Sequence, residues 1–263
     1  MDLTYAARTD VGMIRSGNED SWFAHATQQR GVFVVADGMG GHAAGEVASE
    51  MTVQIISREL QDVSGSVDGI VDSVIATIQH ANRAVYERTI QESDKQGMGT
   101  TASVLIVSAD QYLIGQVGDS RVYLLRDGAL RQLTKDHSDV QEQVDAGLLT
   151  AEQARYHPYS NVITRCVGAS DMVEPDTYTG DLRSGDVFLV ASDGLTGMVD
   201  DRRLQQLLLS RASAGRVVDA LIAEANYRGG LDNITAIVVQ VTATSGGDGA
   251  DRPTPKHGGD VVP

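Results

Sequence analysis

Two stretches of this 263-residue chain are built alike, FVVADG at 33–38 and FLVASDG at 188–194. Each runs through apolar residues into an aspartate followed by glycine. Two further aspartates flank strand-like runs: Asp119 follows one in GQVGDSR, and Asp232 precedes one in LDNITAIVV. A fifth acidic cluster, RSGNED at 15–20, holds Arg15, Glu19 and Asp20. One Asp-Gly pair after a strand reads as a turn. Four strand-end aspartates in one domain point further, because converging carboxylates repel one another and retain their protons unless cations neutralise them. An all-oxygen donor set suits hard cations such as Mg²⁺ or Mn²⁺. Zinc fits less well, since the sequence has no cluster of Cys and His. Whether the aspartates converge is left open by the sequence.

These residues need elements to hold them. Runs rich in β-branched and aromatic residues predict strands at 3–8, 31–36, 102–108, 112–117, 121–126, 187–192 and 234–241. The Asp127-Gly128 pair after the fifth of these is a hairpin signal. Helical spacing of Ala44, Val47, Ala48, Met51, Ile55 and Ile56 predicts a helix over 43–60, with others over 67–93, 201–211 and 215–227. Consecutive strands joined by short turns argue for antiparallel sheets whose outer faces the helices cover. The expected fold is α+β, a central sandwich of two antiparallel β-sheets flanked by pairs of helices. One catalytic domain is expected over 1–242. The Gly-, Pro- and Asp-rich 243–263 is expected to be a disordered tail, having too little apolar surface to offset its chain entropy.

Composition narrows the classes. A formal charge of −15, from 36 acidic and 21 basic residues, gives no basic footprint for nucleic acid and would be repelled by anionic lipid. The apolar runs have strand length, short of the ~20 residues of a membrane helix. The N-terminus has no apolar signal-peptide core, and the lone Cys166 forms no internal disulfide. A cytoplasmic monomer is expected. The segment VFVVADGMGGHAAGE also echoes a dinucleotide-binding turn. That reading fails, because Asp37 would face the pyrophosphate and two helices, not one, precede the next strand.

Taken together, RSGNED (15–20), ADGMGGHAAGE (36–46), GTT (99–101), GDSR (118–121), SDGLTG (192–197) and DNIT (232–235) resemble the bacterial branch of the metal-dependent protein phosphatases, the protein phosphatase 2C type. The segment 136–168 resembles that branch's flap and the region after it. The resemblance spans roughly residues 4 to 242, in order. It implies hydrolysis of phosphoserine and phosphothreonine on proteins, opposing bacterial Ser/Thr protein kinases, with phosphorylated proteins as substrates and a Ser/Thr kinase as a candidate partner. The implied cofactors are Mn²⁺ or Mg²⁺, two core ions plus a weaker third. Asp37 would bridge two ions and Gly38 would offer a backbone carbonyl. Asp193 and Asp232 would hold the second ion, and Asp119 with Asp193 the third. Glu19 and Asp20 would act through water, Arg15 would bind the substrate phosphate, and 136–160 would form the flap beside the site.

The chemistry these roles imply is in-line attack by a water acidified between two cations, with no protein nucleophile. The planar fork of Arg15 suits a phosphate better than a lysine would. His42 is a candidate acid for the leaving oxygen, with a loop-holding histidine at a helix start as the alternative. His137 and His157 read as flap architecture. A catalytically inactive regulator of the same fold and a hydrolase of small phosphate esters are the rival functions; the intact set Asp37, Asp119, Asp193 and Asp232 argues against the first.

Overall fold

The computed structural model describes residues 1–40, 44–108, 110–210 and 212–244. In chain order the strands are β1 (Asp2–Asp10), β2 (Asp20–Ala26), β3 (Arg30–Met39), β4 (Gly99–Thr100), β5 (Ala102–Ser108), β6 (Gln111–Val117), β7 (Arg121–Arg126), β8 (Ala129–Gln132), β9 (Asp176–Asp181), β10 (Val187–Ala191) and β11 (Ile234–Ala243). The helices are α1 (Ala44–Leu60), α2 (Val67–Gln91), α3 (Asp139–Asp145), α4 (Ala151–Arg155), α5 (Asp193–Thr196), α6 (Asp201–Leu208) and α7 (Ala214–Tyr227).

One sheet has the order β1-β11-β10-β7-β8, the other β2-β3-β5-β6-β9 with β4 beside β3. Every pairing is antiparallel. Strand alternation sends side chains to both faces, and each sheet is apolar on both. Phe33, Val35, Leu105, Ile114, Phe188, Val190 and Ile237 meet between the sheets. There Tyr112 and Phe188 pack edge to face, 5.2 Å between ring centroids. The opposite faces receive helices: α1 and α2 cover Val32, Val34, Val104 and Ile106, while α5–α7 cover Leu189, Ala191, Ala236 and Val238. The expected sandwich between helix pairs is the architecture found.

The sequence reading missed four kinds of element. Strand β2 lies at a sheet edge, half exposed, so its apolar residues are few. Strand β9, DTYTGD, is mostly polar and is defined by its pairing with β6 rather than by its own residues. The two-residue β4 is held by Gly38 and Met39. Within 136–160, α3 and α4 are short but well capped: Ser138 accepts from the Gln141 N–H, and Thr150 and Gln153 form a reciprocal capping box. The helix expected to reach residue 211 ends at Leu208. Of the expected tail, residues 245–263 lie outside the described residues. No helix among the described residues is long and apolar enough to cross a membrane.

Candidate metal centre

Strand register brings the acidic residues to one end of the sandwich. The β2–β3 pairing sets Asp20 directly opposite Asp37. Asp119 follows β6 and precedes β7, Asp193 opens α5 after β10, and Asp232 precedes β11. Because β10 pairs with both β7 and β11, Ala191 aligns with Arg121 and Ala236, so these strands begin or end together.

Each carboxylate has its own scaffold. Thr101 accepts from the Asp37 N–H at 2.9 Å, while the Thr101 N–H and the Thr100 hydroxyl both donate to the Asp37 carbonyl at 2.9 Å. Ser192 Oγ donates to Asp20 Oδ2 at 2.8 Å and accepts from the Thr235 N–H at 2.9 Å, linking the two sheets beside the site. Asn233 ties the loop of Arg15 to β11: it accepts from the Glu19 N–H at 2.8 Å and donates to the carbonyls of Val11 and Gly17. Gly38 is required by close approach, since a Cβ there would lie 2.2 Å from the Gly45 carbonyl oxygen.

The electrostatics are those of crowded carboxylates. Burial pushes Asp37 well above the usual carboxylate range, and the charges of Asp20, Asp193 and Asp119 add to it. Burial likewise raises Asp193, and the Asp232 charge adds to it, with Asp37, Arg121 and Arg15 opposing. Burial lifts Asp20 to about 7, with Asp193 and Asp232 adding to the rise and the Ser192 and Thr235 hydrogen bonds opposing it. Asp119 is raised by burial and then by Asp193 and Asp136; Glu19 is raised by burial, with Arg15 opposing. Arg15 Nη2 lies 2.7 Å from Asp232 Oδ2, and half of the Arg15 side chain is exposed. His42 lies outside the described residues.

A divalent cation fits this donor set. Among the described residues, no three His, Cys, Asp or Glu side chains are already gathered around one point as ready ligands. Mutual repulsion keeps the carboxylates apart, and Arg15 takes one oxygen of Asp232. Yet Asp20 Oδ1 and Asp193 Oδ1 are buried with no hydrogen-bond partner. Two unpaired carboxylate oxygens in one recess are costly, and a hard cation is the partner whose charge and ligand preference relieve them. A cleft of about 500 Å³ opens from Asp119 and Asp193 towards Arg155, Tyr156 and Ser160 of 136–160. Arg155 closes one side of it, donating to the Thr196 carbonyl at 3.0 Å.

The protein phosphatase 2C family model matches residues 14–224, spanning every acidic position of the recess except Asp232. The chain belongs to the protein phosphatase 2C family. It is 40% identical to the serine/threonine phosphatase stp of Listeria monocytogenes over 244 residues, 91% of this chain and 96% of that protein. The solved structure of the S. agalactiae serine/threonine phosphatase superposes with a TM-score of 0.86 at 38% identity, covering 91% of this chain and all of that one. The catalytic domain of the protein phosphatase PstP, solved in complex with two manganese ions, gives 0.82 at 36% identity, covering 92% and 99%. The resemblance carried by the short motifs is therefore a true family membership, and the two-sheet sandwich is the fold of protein phosphatase 2C structures.

Several residues that build this protein phosphatase 2C site stand within the sequence motifs without an expected role: Thr100, Thr101, Ser192 and Asn233. Their signal was position, a hydroxyl or amide next to a strand-end aspartate. Arg155 carried no signal, because its partner is a backbone carbonyl 41 residues away.

Proposed function

We propose that this chain removes phosphate from phosphoserine and phosphothreonine in proteins by metal-dependent hydrolysis, opposing Ser/Thr protein kinases. The observation that carries the reading is the recess itself: Asp37 opposite Asp20, with the buried Asp20 and Asp193 each keeping a carboxylate oxygen unpartnered. Mn²⁺ or Mg²⁺ ions, when bound, supply charge that acidifies a water and offsets the phosphoryl oxygens. In this reading Asp37 and the Gly38 carbonyl would hold the core ions together with Asp193 and Asp232, Asp37 being shared between them. Asp119 with Asp193 would hold a weaker third, and Glu19 and Asp20 would act through water. Ser192 holds the Asp20 carboxylate itself, while Thr101 and Asn233 fix the backbone that carries Asp37 and Glu19.

Arg15 takes the phosphate in this scheme. Its guanidinium is half exposed and already meets an anionic oxygen of Asp232, so a phosphate presents it with a second anion in the same geometry. His42 would protonate the leaving oxygen. Segment 136–160 would act as the flap that meets the protein around the phosphorylated residue, a role supported by the cleft it shares with Asp193. The acidic surface favours a cytoplasmic monomer without nucleic-acid or membrane partners.

The test is hydrolysis of a phosphothreonine peptide and of p-nitrophenyl phosphate, after stripping with EDTA and again with Mn²⁺ restored. Activity on both should vanish and return. Full activity in the stripped protein would overturn the metal mechanism, and turnover of the small ester alone would move the function to small phosphate esters.

A further inference from the structure

His137 stands at the root of 136–160 and uses all four of its polar groups. Its backbone N–H donates to the Gly118 carbonyl at 2.9 Å, and its own carbonyl accepts from the Thr164 N–H at 2.8 Å. Its ring Nδ1 accepts from the Gly118 N–H at 3.1 Å. Nε2 lies between Asp176 Oδ2 at 3.2 Å and the Arg165 guanidinium, whose Nη1 is 3.1 Å away; with Nδ1 accepting, the ring proton of the neutral imidazole sits on Nε2 and is directed to the carboxylate. Arg165 flanks the same carboxylate, its Nη1 2.7 Å from Asp176 Oδ1. The ring is 6% exposed, so these contacts are shielded from water.

The residue clamped on both sides is Gly118, immediately before Asp119. Gly118 has φ +98°, and a Cβ there would fall 2.5 Å from Thr101 Cγ2, so only glycine fits, a residue whose backbone freedom leaves its orientation to the bonds made by its neighbours. Gln116 adds a bond to the Gly118 carbonyl at 3.1 Å, but the Gly118 N–H has His137 as its partner. The ring therefore holds the Val117–Gly118 peptide unit, and the His137 main chain holds the Gly118–Asp119 unit that follows; letting go of the first frees rotation about Gly118, which carries the second unit and the Asp119 Cα–Cβ bond with it.

We propose that His137 is a positioning residue: by holding the two peptide units that flank the Gly118 Cα it aims Asp119 into the recess, and so ties the root of the flap to the outermost cation subsite. The proposal rests on the phosphatase reading, in which Asp119 and Asp193 hold a weaker third ion. A ring nitrogen suits the task because it accepts one bond and donates another along a fixed line between β9 and the turn. An asparagine keeps the first of these, since its Oδ1 falls where Nδ1 lies; a glutamine reaches towards Asp176 and gives up the first.

The experiment compares the full chain with His137→Asn, His137→Gln and His137→Ala, and with Asp119→Ala as reference. Calorimetric Mn²⁺ titration, melting temperature and kcat on a phosphothreonine peptide are measured for each. His137→Gln and His137→Ala should weaken the weakest Mn²⁺ step by roughly ten- to a hundredfold, the range seen when a group orienting a ligand is lost. The tighter Mn²⁺ steps should stay in place, and kcat should approach that of Asp119→Ala. His137→Asn should recover most of the weak step, even though it loses the Asp176 contact. Equal loss in Asn and Gln would overturn the proposal and leave the ring as packing. So would an unchanged weak step in Gln, or a wild-type chain that turns over the peptide with two Mn²⁺ steps only. A wild-type chain that turns over neither peptide nor p-nitrophenyl phosphate with Mn²⁺ would instead overturn the phosphatase reading itself. If His137→Ala does not fold, the Asn and Gln pair decides.

Discussion

Arg15 Nη2 sits 2.7 Å from Asp232 Oδ2, bringing the cation expected to meet phosphate onto a carboxylate expected to meet metal. Both side chains are partly exposed, so this contact is open to exchange and contributes little to stability. A guanidinium held there is released towards substrate as soon as Asp232 acquires another positive partner. Arg15→Ala should therefore cost roughly 1.5–3 kcal/mol of phosphate recognition, about ten- to a hundredfold in kcat/KM. Most of that loss should appear in KM on a phosphothreonine peptide, with the melting temperature unchanged. Arg15→Lys should recover only part, because one ammonium does not reproduce the fork. Wild-type KM in both variants would remove Arg15 from the phosphate site.

Asp37 is the most crowded carboxylate of the recess, facing Asp20 across β2–β3 with the charges of Asp193 and Asp119 close by. Asp37→Asn should abolish most turnover, since one charge shared between two cation sites disappears. The same change relieves like-charge repulsion, so the metal-free melting temperature should hold or rise. Steady-state kinetics beside thermal melting check both halves. Near-wild-type kcat would exclude the bridging role.

The raised carboxyl groups also set a pH dependence. Asp20 moves from 3.8 to about 7 on folding, and Asp37, Asp119 and Asp193 move in the same direction. Between those values the folded chain binds more protons than the unfolded chain, so stability falls as pH rises through the window. EDTA-treated protein should melt several degrees lower at about pH 8 than at about pH 5.5. Saturating Mn²⁺ should flatten or reverse the slope, because the ion binds the deprotonated form. A flat slope without metal would mean that the carboxylates do not repel one another as their placement requires.

Arg155 pins α4 to the Thr196 and Gly197 carbonyls beside Asp193, and it lines the cleft that a protein substrate would enter. Arg155→Ala should alter kcat/KM on phosphopeptides more than on p-nitrophenyl phosphate, because the small ester does not span the cleft. Parallel losses on the two substrates would make the contact purely structural.

The strand-end aspartates, the antiparallel sheets and the four long helices were legible because each rests on short-range signals. The β-branched apolar run in 102–108 and the helical spacing in 44–56 are written into neighbouring residues. Strand β2 was not legible, being a half-exposed edge whose identity comes from its partner β3. With β2 unseen, Asp20 read as part of an acidic loop cluster rather than as the residue facing Asp37. Asn233 and Ser192 stood in plain sight, but their partners lie 214 and 172 residues away. Nothing local signals such bonds.

By itself, then, the sequence determined the family, the two-layer sandwich and which carboxylates stand at strand ends. Tertiary structure alone decided that these ends meet: the register of β2 on β3 and the pairing of β10 with both β7 and β11 carry residues as distant as Arg15 and Asp232, 217 positions apart, into one recess. Periodicity fixes which face a side chain takes, because it repeats every two or 3.6 residues. Register fixes which distant residues become neighbours, and it is settled by the combined packing of both sheets and the helices outside them.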